Sequence, residues 1–177
     1  MPTPDRGPFS TLARAIVGQQ LSNRAATTIW GRVADKIGSA MTPAAFLSME
    51  VQALRRCGLS APKIEYLRDL ATQLQTGELR PTNWPSMPDD VLLRELTSVR
   101  GVGEWTAQMY MIFQDARLDV LAAEDRALRR AAAYLSDSTL PLTRSEFIEM
   151  AEPWRPWRSV ASIYLWHYID SKAQEER

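Results

Sequence analysis

The sequence has few of the side chains that build cross-links and metal centres. Among its 177 residues there is one cysteine, Cys57, and one histidine, His167. A disulfide framework, a four-cysteine iron–sulfur cluster and the common zinc sites all need more of these residues. These three kinds of site are therefore excluded, and Cys57 is expected to be a small buried hydrophobe.

The chain also lacks an excess of positive or negative charge. The 21 lysine and arginine residues balance 21 aspartate and glutamate residues, so the formal net charge is +0 and no overall field attracts a polyanion. Any contact with nucleic acid must therefore come from a local patch. Arginine carries nearly all of the positive charge, because the lysines are only Lys36, Lys63 and Lys172.

Long apolar runs and strand signals are missing as well. No apolar run is long enough to span a bilayer, and the first residues, MPTPDRGPF, lack the apolar core of a signal peptide. We expect a soluble, cytoplasmic protein with no membrane partner, close to the nucleoid if its source is bacterial.

Helical signals recur along the whole chain. Apolar residues keep a three-to-four spacing in FSTLARAIVGQ, and again on one face of the segment that follows Ser22. Capping residues predict helix starts at Thr42, Ser48, Ser86 with Asp89, and Thr143 with Glu146. The pattern predicts an all-α fold of roughly nine or ten short helices without an internal repeat.

One stretch near the middle of the chain predicts a helix–hairpin–helix. In LTSVRGVGEWTAQMYMIF, Gly101 and Gly103 separate one helical pattern from a second that has Trp105 in its first turn. Glycine adopts positive φ and leaves room for another backbone, and the N–H groups that begin a helix attract anions. A DNA phosphate is the ligand that this arrangement favours. A tight αα-hairpin that serves only as a turn is the alternative.

Two further ligand contacts are predicted at the hairpin. Arg100 is a lesser candidate for phosphate binding, together with Arg126 and Arg158, although exposed arginines are usually solvated surface. Carbonyls on the other side of the hairpin are candidate ligands for a monovalent cation such as Na+ or K+: those of Thr97, Val99 and Val102. Phosphate binding alone would make the hairpin a sequence-independent anchor rather than part of an enzyme.

Four collinear stretches resemble one family. They are RAIVGQQLSNRAA, LRRCGLSAPKIEYLRDLA, LTSVRGVGEWTAQMYMIF with the following VLAAEDRALRRAA, and PWRPWRSVASIYLW. Together they touch most of the chain and resemble the helix–hairpin–helix DNA glycosylases, in particular the alkylation-repair branch, 3-methyladenine DNA glycosylase II. The resemblance implies base excision repair by hydrolytic removal of flipped-out alkylated purines from double-stranded DNA, with no cofactor for the chemistry.

The resemblance places the catalytic acid at Asp125. Breaking a base–sugar bond builds oxocarbenium character on the deoxyribose, and a fixed carboxylate stabilises that charge or activates the attacking water. An alkylated purine is already cationic, so it leaves without a strong general acid. Asp125 could instead serve only as the N-cap of the helix RALRRAAAYL. Glu124 is the alternative acid, but the spacing from the hairpin favours Asp125.

The same resemblance implies an aromatic pocket for the flipped base. Trp105 and Trp166 match the pocket walls, where indole faces would stack on a cationic purine, unless they pack in the core. Met109 and Arg126 stand where a bacterial relative has aromatic residues, so the pocket is expected to be more open or to accept different lesions. Trp105 also takes the position of the Schiff-base lysine of strand-cleaving branches, which predicts a monofunctional enzyme without lyase activity.

A side chain that fills the gap left by the flipped base is expected within VGQQLS. The family register favours Gln20, whereas an apolar wedge would be Leu21, whose alternative role is packing between two helices. His167 follows Trp166 on the final helix and is expected in the interior or at its rim, without a functional role.

The resemblance also implies two helical lobes with the active-site cleft between them. Residues from roughly 20 to 115, ending in the hairpin at 96–103, would form one lobe, and residues 1–19 with 116–177 the other. The expected state is a monomer. A well-studied relative has an N-terminal β-rich domain that is missing here, which would make the chain a compact version or one lacking its N-terminal part. The alternatives are a non-catalytic DNA-binding module and a glycosylase for another damaged or mismatched base.

Overall fold

The computed structural model describes residues 7–38, 41–136 and 138–175. Within these ranges the regular structure is helical, with no strand, which confirms the all-α prediction. The α-helices are α1 (Pro8–Gly18), α2 (Asn23–Ile37), α3 (Pro43–Leu47), α4 (Val51–Arg56), α5 (Ala61–Thr76), α6 (Asp89–Thr97), α7 (Glu104–Phe113), α8 (Arg126–Leu135), α9 (Arg144–Ala151) and α10 (Arg158–Glu175). Two 3-10 helices, Pro81–Ser86 and Glu152–Trp154, complete this inventory. None of the helices in the described ranges combines the length and apolar character needed to cross a bilayer.

The backbone contacts divide the chain into two compact units, Met1–Tyr110 and Met111–Arg177. The first unit is built around α5, which packs against α1, α3 and α4. Ile64, Leu67 and Leu70 of α5 are buried, and their spacing of three residues makes the apolar stripe of an amphipathic helix. Phe9 of α1 meets Phe46 of α3 edge to face, with ring centroids 5.8 Å apart. The polar face of α5 is left for other contacts.

Trp84, in the first 3-10 helix, is the largest fully buried side chain of the first unit. Its indole N–H donates to the Glu95 carboxylate of α6 at 2.7 Å, and its ring meets Tyr110 of α7 edge-on with centroids 5.3 Å apart. A buried indole usually keeps a hydrogen bond of this kind. Trp84 thus contacts the last part of α6 and also α7, the two helices on either side of the predicted hairpin.

The second unit pairs α8 with α10 and with α9. Leu128, Ala131 and Ala132 form the buried face of α8, and such small side chains let a neighbouring helix approach closely. Phe147 of α9 is buried and packs edge-on against Trp154, with ring centroids 6.0 Å apart. The second unit therefore has an apolar core of its own.

Two predicted helix caps, at Thr42 and Thr143, are confirmed, and Ser22 caps α2 as well. The side chains of Ser22, Thr42 and Thr143 each accept a hydrogen bond from a backbone N–H three residues further on. Glu146 completes a capping box with Thr143, as its spacing predicts.

The predicted caps at Ser48 and Ser86 are wrong. The Ser48 hydroxyl donates to the Ala45 carbonyl at the end of α3, and the Ser86 hydroxyl donates to the Asn83 carbonyl in the 3-10 helix. Each serine thus completes the turn before it, because a short hydroxyl side chain bonds readily to a carbonyl three residues back. Helices α4 and α6 begin later, with no side-chain cap.

The two units defined by backbone contacts and the predicted lobes group α1 with different parts of the chain. Residues 8–18 pack against α2 and α5 within the first unit, whereas the sequence analysis groups residues 1–19 with residues 116–177. The predicted lobe boundaries and the cleft remain predictions.

Candidate active site and nucleic-acid interface

The loop between α6 and α7 is a tight turn over residues 99–102. The Val102 N–H donates to the Val99 carbonyl at 3.0 Å, and Gly101, third in the turn, has a φ of 83°. Positive φ at the third position is the mark of a type II turn and favours glycine there. The predicted positive φ is thus present at Gly101.

The two glycines of the hairpin play different parts. A Cβ added to Gly101 would overlap the ring of Tyr66, which lies against it. Gly103 does not adopt the positive φ that the sequence analysis allowed it, and a Cβ there would meet no other atom within 4 Å. Gly101 is therefore required by packing inside the protein, whereas Gly103 leaves open space at the start of α7.

Helix α5 holds the hairpin from its polar face. The Asp69 carboxylate accepts the backbone N–H of Arg100 at 3.0 Å and the side-chain amide of Gln73 at 2.8 Å. The Arg100 side chain is exposed and lies 3.6 Å from Glu65, a distance at which an exposed ion pair contributes little. The Arg100 N–H is thus used within the protein, and only its guanidinium faces solvent for the predicted phosphate contact.

The loop that follows α1 carries the predicted wedge residues. Gln20 has a φ of 57°, one of two positive values at a non-glycine residue in the described ranges. Its side chain is exposed, and Leu21 is 39% exposed. Leu21 is therefore not packed between two helices, and both wedge candidates face solvent.

Three hydrogen bonds fasten this loop to the rest of the first unit. The Lys63 ammonium donates to the carbonyls of Val17 and Gln19 at 2.7 and 2.8 Å. The Gln19 side-chain amide donates to the carbonyl of Gly101 at 2.7 Å. Burial lowers the pKa of Lys63 below its ordinary value. Sequence reasoning gave no role to Lys63 or Gln19; the only local signal for Lys63 was that lysine is rare in this chain.

The first turn of α7 presents Trp105 to solvent. Its side chain is 48% exposed, whereas the neighbouring Thr106, Ala107 and Gln108 are buried. Met109, one turn further along, is half-buried. An indole left this open is unusual for core packing, so the alternative of a core role for Trp105 is wrong.

Asp125 caps α8, as the capping interpretation predicts. One carboxylate oxygen accepts the Leu128 N–H at 2.9 Å, and the residue is only 9% exposed. Glu124 is exposed instead and pairs with Arg144 at 2.9 Å. Of the two neighbouring acids, Asp125 is the one largely withdrawn from water, where a charge acts more strongly on a bound ligand.

The chain segment before Asp125 is fixed to the start of α10. The Ser159 N–H donates to the Leu118 carbonyl, and the Ser159 hydroxyl accepts the Val120 N–H, both at 2.9 Å. Arg158 donates two hydrogen bonds to the Asp119 carboxylate, from Nε to Oδ1 at 2.6 Å and from Nη2 to Oδ2 at 3.0 Å. Sequence reasoning named Arg158 as a lesser phosphate candidate, but its guanidinium is committed to Asp119.

The ion pair with Arg158 affects the pKa of Asp119. Burial alone would raise the pKa, but the hydrogen bonds and charge of Arg158, with the charge of Arg155, outweigh it. The net result is a pKa below the ordinary value of an aspartate. The segment that leads to Asp125 is thus held by an ionised carboxylate.

The remaining pocket candidates lie in the second unit. Trp166 is half-buried and stacks at a tilt on Phe113, with ring centroids 5.5 Å apart. Phe113 is itself largely exposed, and the sequence analysis did not single it out. Arg126 begins α8 and is exposed. His167 is exposed too, so of its two expected positions, in the interior or at its rim, the interior one is wrong, whereas Cys57 is buried as predicted.

The described residues contain no group of three or more His, Cys, Asp or Glu side chains placed to hold a metal ion. The carbonyl ligands predicted for a monovalent cation are of another kind. Of these, the Val99 carbonyl already accepts the turn hydrogen bond from Val102, and a carbonyl oxygen has a second lone pair for a cation.

Known proteins have the same fold and a similar sequence. A crystal structure of DNA-3-methyladenine glycosidase from Bacillus halodurans superposes with a TM-score of 0.91 at 35% identity, over 99% of this chain and 81% of that one. Mag1, the 3-methyladenine DNA glycosylase of Schizosaccharomyces pombe, in complex with abasic DNA, gives a TM-score of 0.79 at 30% identity, over 94% and 84%.

Sequence comparison agrees with the structural likeness. DNA-3-methyladenine glycosylase 1 of S. pombe is 33% identical over 163 residues, which cover 90% of this chain and 71% of that protein. DNA-3-methyladenine glycosylase 2 of Escherichia coli is 29% identical, over 90% of this chain and 57% of that protein. Residues 13–156 match the family model described as HhH-GPD superfamily base excision DNA repair protein. The chain belongs to this HhH-GPD superfamily of base excision DNA repair proteins.

Proposed function

We propose that the protein is a monofunctional DNA glycosylase that hydrolyses the N-glycosidic bond of alkylated purines, such as 3-methyladenine, in double-stranded DNA. The observation that carries this proposal is the placement of Asp125: a carboxylate almost fully withdrawn from water, held by the Leu128 N–H. The names of the relatives support the choice of substrate.

The proposed chemistry needs one acid. As the bond to the base breaks, positive charge grows on the deoxyribose, and the Asp125 carboxylate stabilises it or activates the attacking water. The base is already cationic when alkylated, so it departs without being protonated first. A thousandfold contribution from Asp125 corresponds to about 4 kcal/mol of transition-state stabilisation.

Two tryptophans are proposed to hold the flipped base. Trp105 offers an exposed indole face, and Trp166 offers a ring backed by Phe113. Stacking on such faces is favourable for a cationic purine, because the ring quadrupole adds attraction to the stacking. Met109 and Arg126 complete the proposed pocket and would set its range of lesions.

DNA is proposed to meet the protein at the hairpin and at the loop after α1. The N–H groups at Gly101 and Gly103 would bind a backbone phosphate, with the Arg100 guanidinium as a lesser contact. The side chain of Gln20 or Leu21 would fill the gap left by the flipped base. The carbonyls of Thr97, Val99 and Val102 would hold a Na+ or K+ ion. We further propose that the protein acts as a monomer.

The lack of lyase activity is part of the proposal. Strand cleavage through a Schiff base needs an amine at the sugar, and Trp105 occupies that position of the hairpin motif. Borohydride should therefore trap no covalent complex between the protein and DNA that carries an aldehydic abasic site. A trapped complex would contradict the monofunctional assignment.

The test of the function is base release. The protein is incubated with DNA methylated at purines and, in parallel, with duplexes carrying uracil, mismatched or oxidised bases, and the released bases are identified by chromatography. Release of methylated purines is the expected result. Release of another base instead would point to a neighbouring activity. Binding without any release would make the protein a non-catalytic DNA-binding module.

A further inference from the structure

The backbone at Gln20 is held in an unfavourable conformation. A φ of 57° puts an L-residue in the left-handed region, which an L-residue adopts only where its surroundings offset the steric cost. Gln20 is exposed, so no packing of its own side chain imposes this conformation. Gln19 and Gln20 are instead the two central residues of a turn in which the Leu21 N–H donates to the Gly18 carbonyl at 3.2 Å. A positive φ at the third position belongs to such a turn, so the conformation of Gln20 depends on what holds this turn in place.

Lys63 holds the residues before Gln20. The last carbonyls of a helix have no partner within it, and here the Lys63 ammonium binds the Val17 and Gln19 carbonyls together, at 2.7 and 2.8 Å. A cation at this end of a helix also interacts favourably with the helix dipole. Because its nitrogen serves two carbonyls within the protein, Lys63 is poorly placed to act as a phosphate ligand.

The same helix controls the hairpin. Tyr66 and Asp69 of α5 contact Gly101 and the Arg100 N–H, as described above. The Gln19 amide then joins the two regions directly by donating to the Gly101 carbonyl. The loop after α1 and the hairpin are therefore fastened to one rigid helix and to each other.

We propose that Lys63 is a positioning residue for DNA recognition: by binding the Val17 and Gln19 carbonyls, it fixes the left-handed backbone at Gln20. It thereby orients the Gln20 side chain for insertion into the base stack, in register with the phosphate-binding hairpin. This inference rests on the proposed function and extends it, because it commits to Gln20 as the inserted residue and assigns its orientation to a lysine that touches no DNA.

The first experiment reports insertion without requiring bond cleavage. A duplex carries a tetrahydrofuran abasic analogue, with 2-aminopurine beside it as a fluorescent reporter of stacking. Saturating wild-type protein should change the 2-aminopurine fluorescence. Lys63→Met, which keeps the length of the side chain and removes the ammonium, should lose at least two thirds of that change. Its Kd for an undamaged duplex should rise by less than threefold, since the hairpin is held by other residues.

Matched variants separate positioning from general damage. Lys36→Met removes the same charge from the exposed last turn of α2 and should behave as wild type. Gln20→Ala should lose the signal as Lys63→Met does, and the double variant should lose no more than either single one. If Lys63→Met is unfolded in thermal melts, Lys63→Gln, which retains one donor, replaces it and should lose part of the signal.

Several outcomes would overturn the inference. They are a full fluorescence change in the folded Lys63 variant, additive losses in the double variant, and loss of signal on Leu21→Ala with none on Gln20→Ala. The absence of any signal with the wild type would overturn it as well. A wild-type protein that gives the signal yet releases no methylated base would refute the proposed function alone.

Discussion

Single residues that look equivalent in the sequence have different roles in the structure. Gly101 and Gly103 form one short motif, yet only Gly101 has a positive φ and lies against the Tyr66 ring. Sequence reasoning predicted the hairpin because the two glycines interrupt a helical pattern. It could not distinguish them, because Tyr66 lies far earlier in the chain and no local pattern shows this contact.

This difference predicts that alanine substitutions at the two glycines have different effects, one on stability and the other on DNA binding. Gly101→Ala should lower the free energy of unfolding by about 2 kcal/mol or more, from the left-handed backbone and the overlap with Tyr66. Gly103→Ala should change stability by less than about 0.5 kcal/mol and should weaken DNA binding, because the added methyl group would stand where the proposed phosphate contact lies. Urea unfolding and DNA titrations measure the two effects. Equal stabilities of the two variants would contradict this division of roles.

Asp125 shows how far sequence reasoning reached at a single site residue. Its capping of α8 was predictable, because it follows from local spacing. The burial of Asp125 was not predictable, and neither was the ion pair between the exposed side chains of Glu124 and Arg144. The Glu124–Arg144 pair joins residues 20 positions apart, and burial depends on packing that forms only after folding.

At the scale of elements, the helices were predicted better than their polar contacts. The apolar stripe and the end of α5 at Gly77 follow from periodicity and from glycine chemistry. The hydrogen bonds of Lys63 and Asp69 reach residues 31 to 46 positions away, and no periodic pattern encodes such bonds. The wrong caps at Ser48 and Ser86 have a local cause, since each serine could serve either of two adjacent turns.

The attachment of α10 to the segment before Asp125 predicts a dependence of stability on pH. The Asp119 pKa is lowered in the folded protein, so its contribution is present above the unfolded pKa of about 4 and is lost as the pH falls through the folded value. Asp119→Asn should therefore lower the free energy of unfolding at pH 7 by about 1 to 2 kcal/mol. The difference from wild type should shrink below about pH 4.

Urea unfolding at several pH values measures this difference. Asp90→Asn is the matched control, because Asp90 pairs with Arg94 at the same 2.8 Å separation that joins Asp119 to Arg155, but both partners are largely exposed. The control should lower stability at pH 7 by much less than Asp119→Asn does, because water screens an exposed ion pair. A difference between Asp119→Asn and wild type that stays constant down to pH 3 would contradict the role of the ionised carboxylate.

At the scale of the whole molecule, fold class and family were both predictable. Helical periodicity sufficed for the all-α class, and four collinear motifs sufficed for the superfamily. The lobe to which α1 belongs is harder to predict, because a short amphipathic helix has an apolar stripe but no mark of the surface that it covers, and the predicted lobes stay a prediction. In the structure α1 packs on α2 and α5.

The balanced charge of the molecule predicts a weak salt dependence of DNA binding. With a formal net charge of +0 and a proposed phosphate contact through backbone N–H groups of the hairpin, we expect few phosphates to be neutralised. The plot of log K against log salt concentration should have a slope between about −2 and −4, as expected for two to four phosphate contacts. Fluorescence anisotropy with a lesion-free duplex measures it. A slope steeper than about −6 would require an extended basic surface.

The most direct test of the central claim compares single-turnover rates of base release at Asp125. Wild type, Asp125→Asn and Glu124→Gln are each mixed in excess with a duplex that contains one alkylated purine, after thermal melts and abasic-DNA binding confirm that each is folded. The account predicts a rate constant about a thousandfold lower for Asp125→Asn, equivalent to about 4 kcal/mol, and an unchanged one for Glu124→Gln. Wild-type rates in the folded Asp125→Asn variant would contradict the assignment of the catalytic carboxylate.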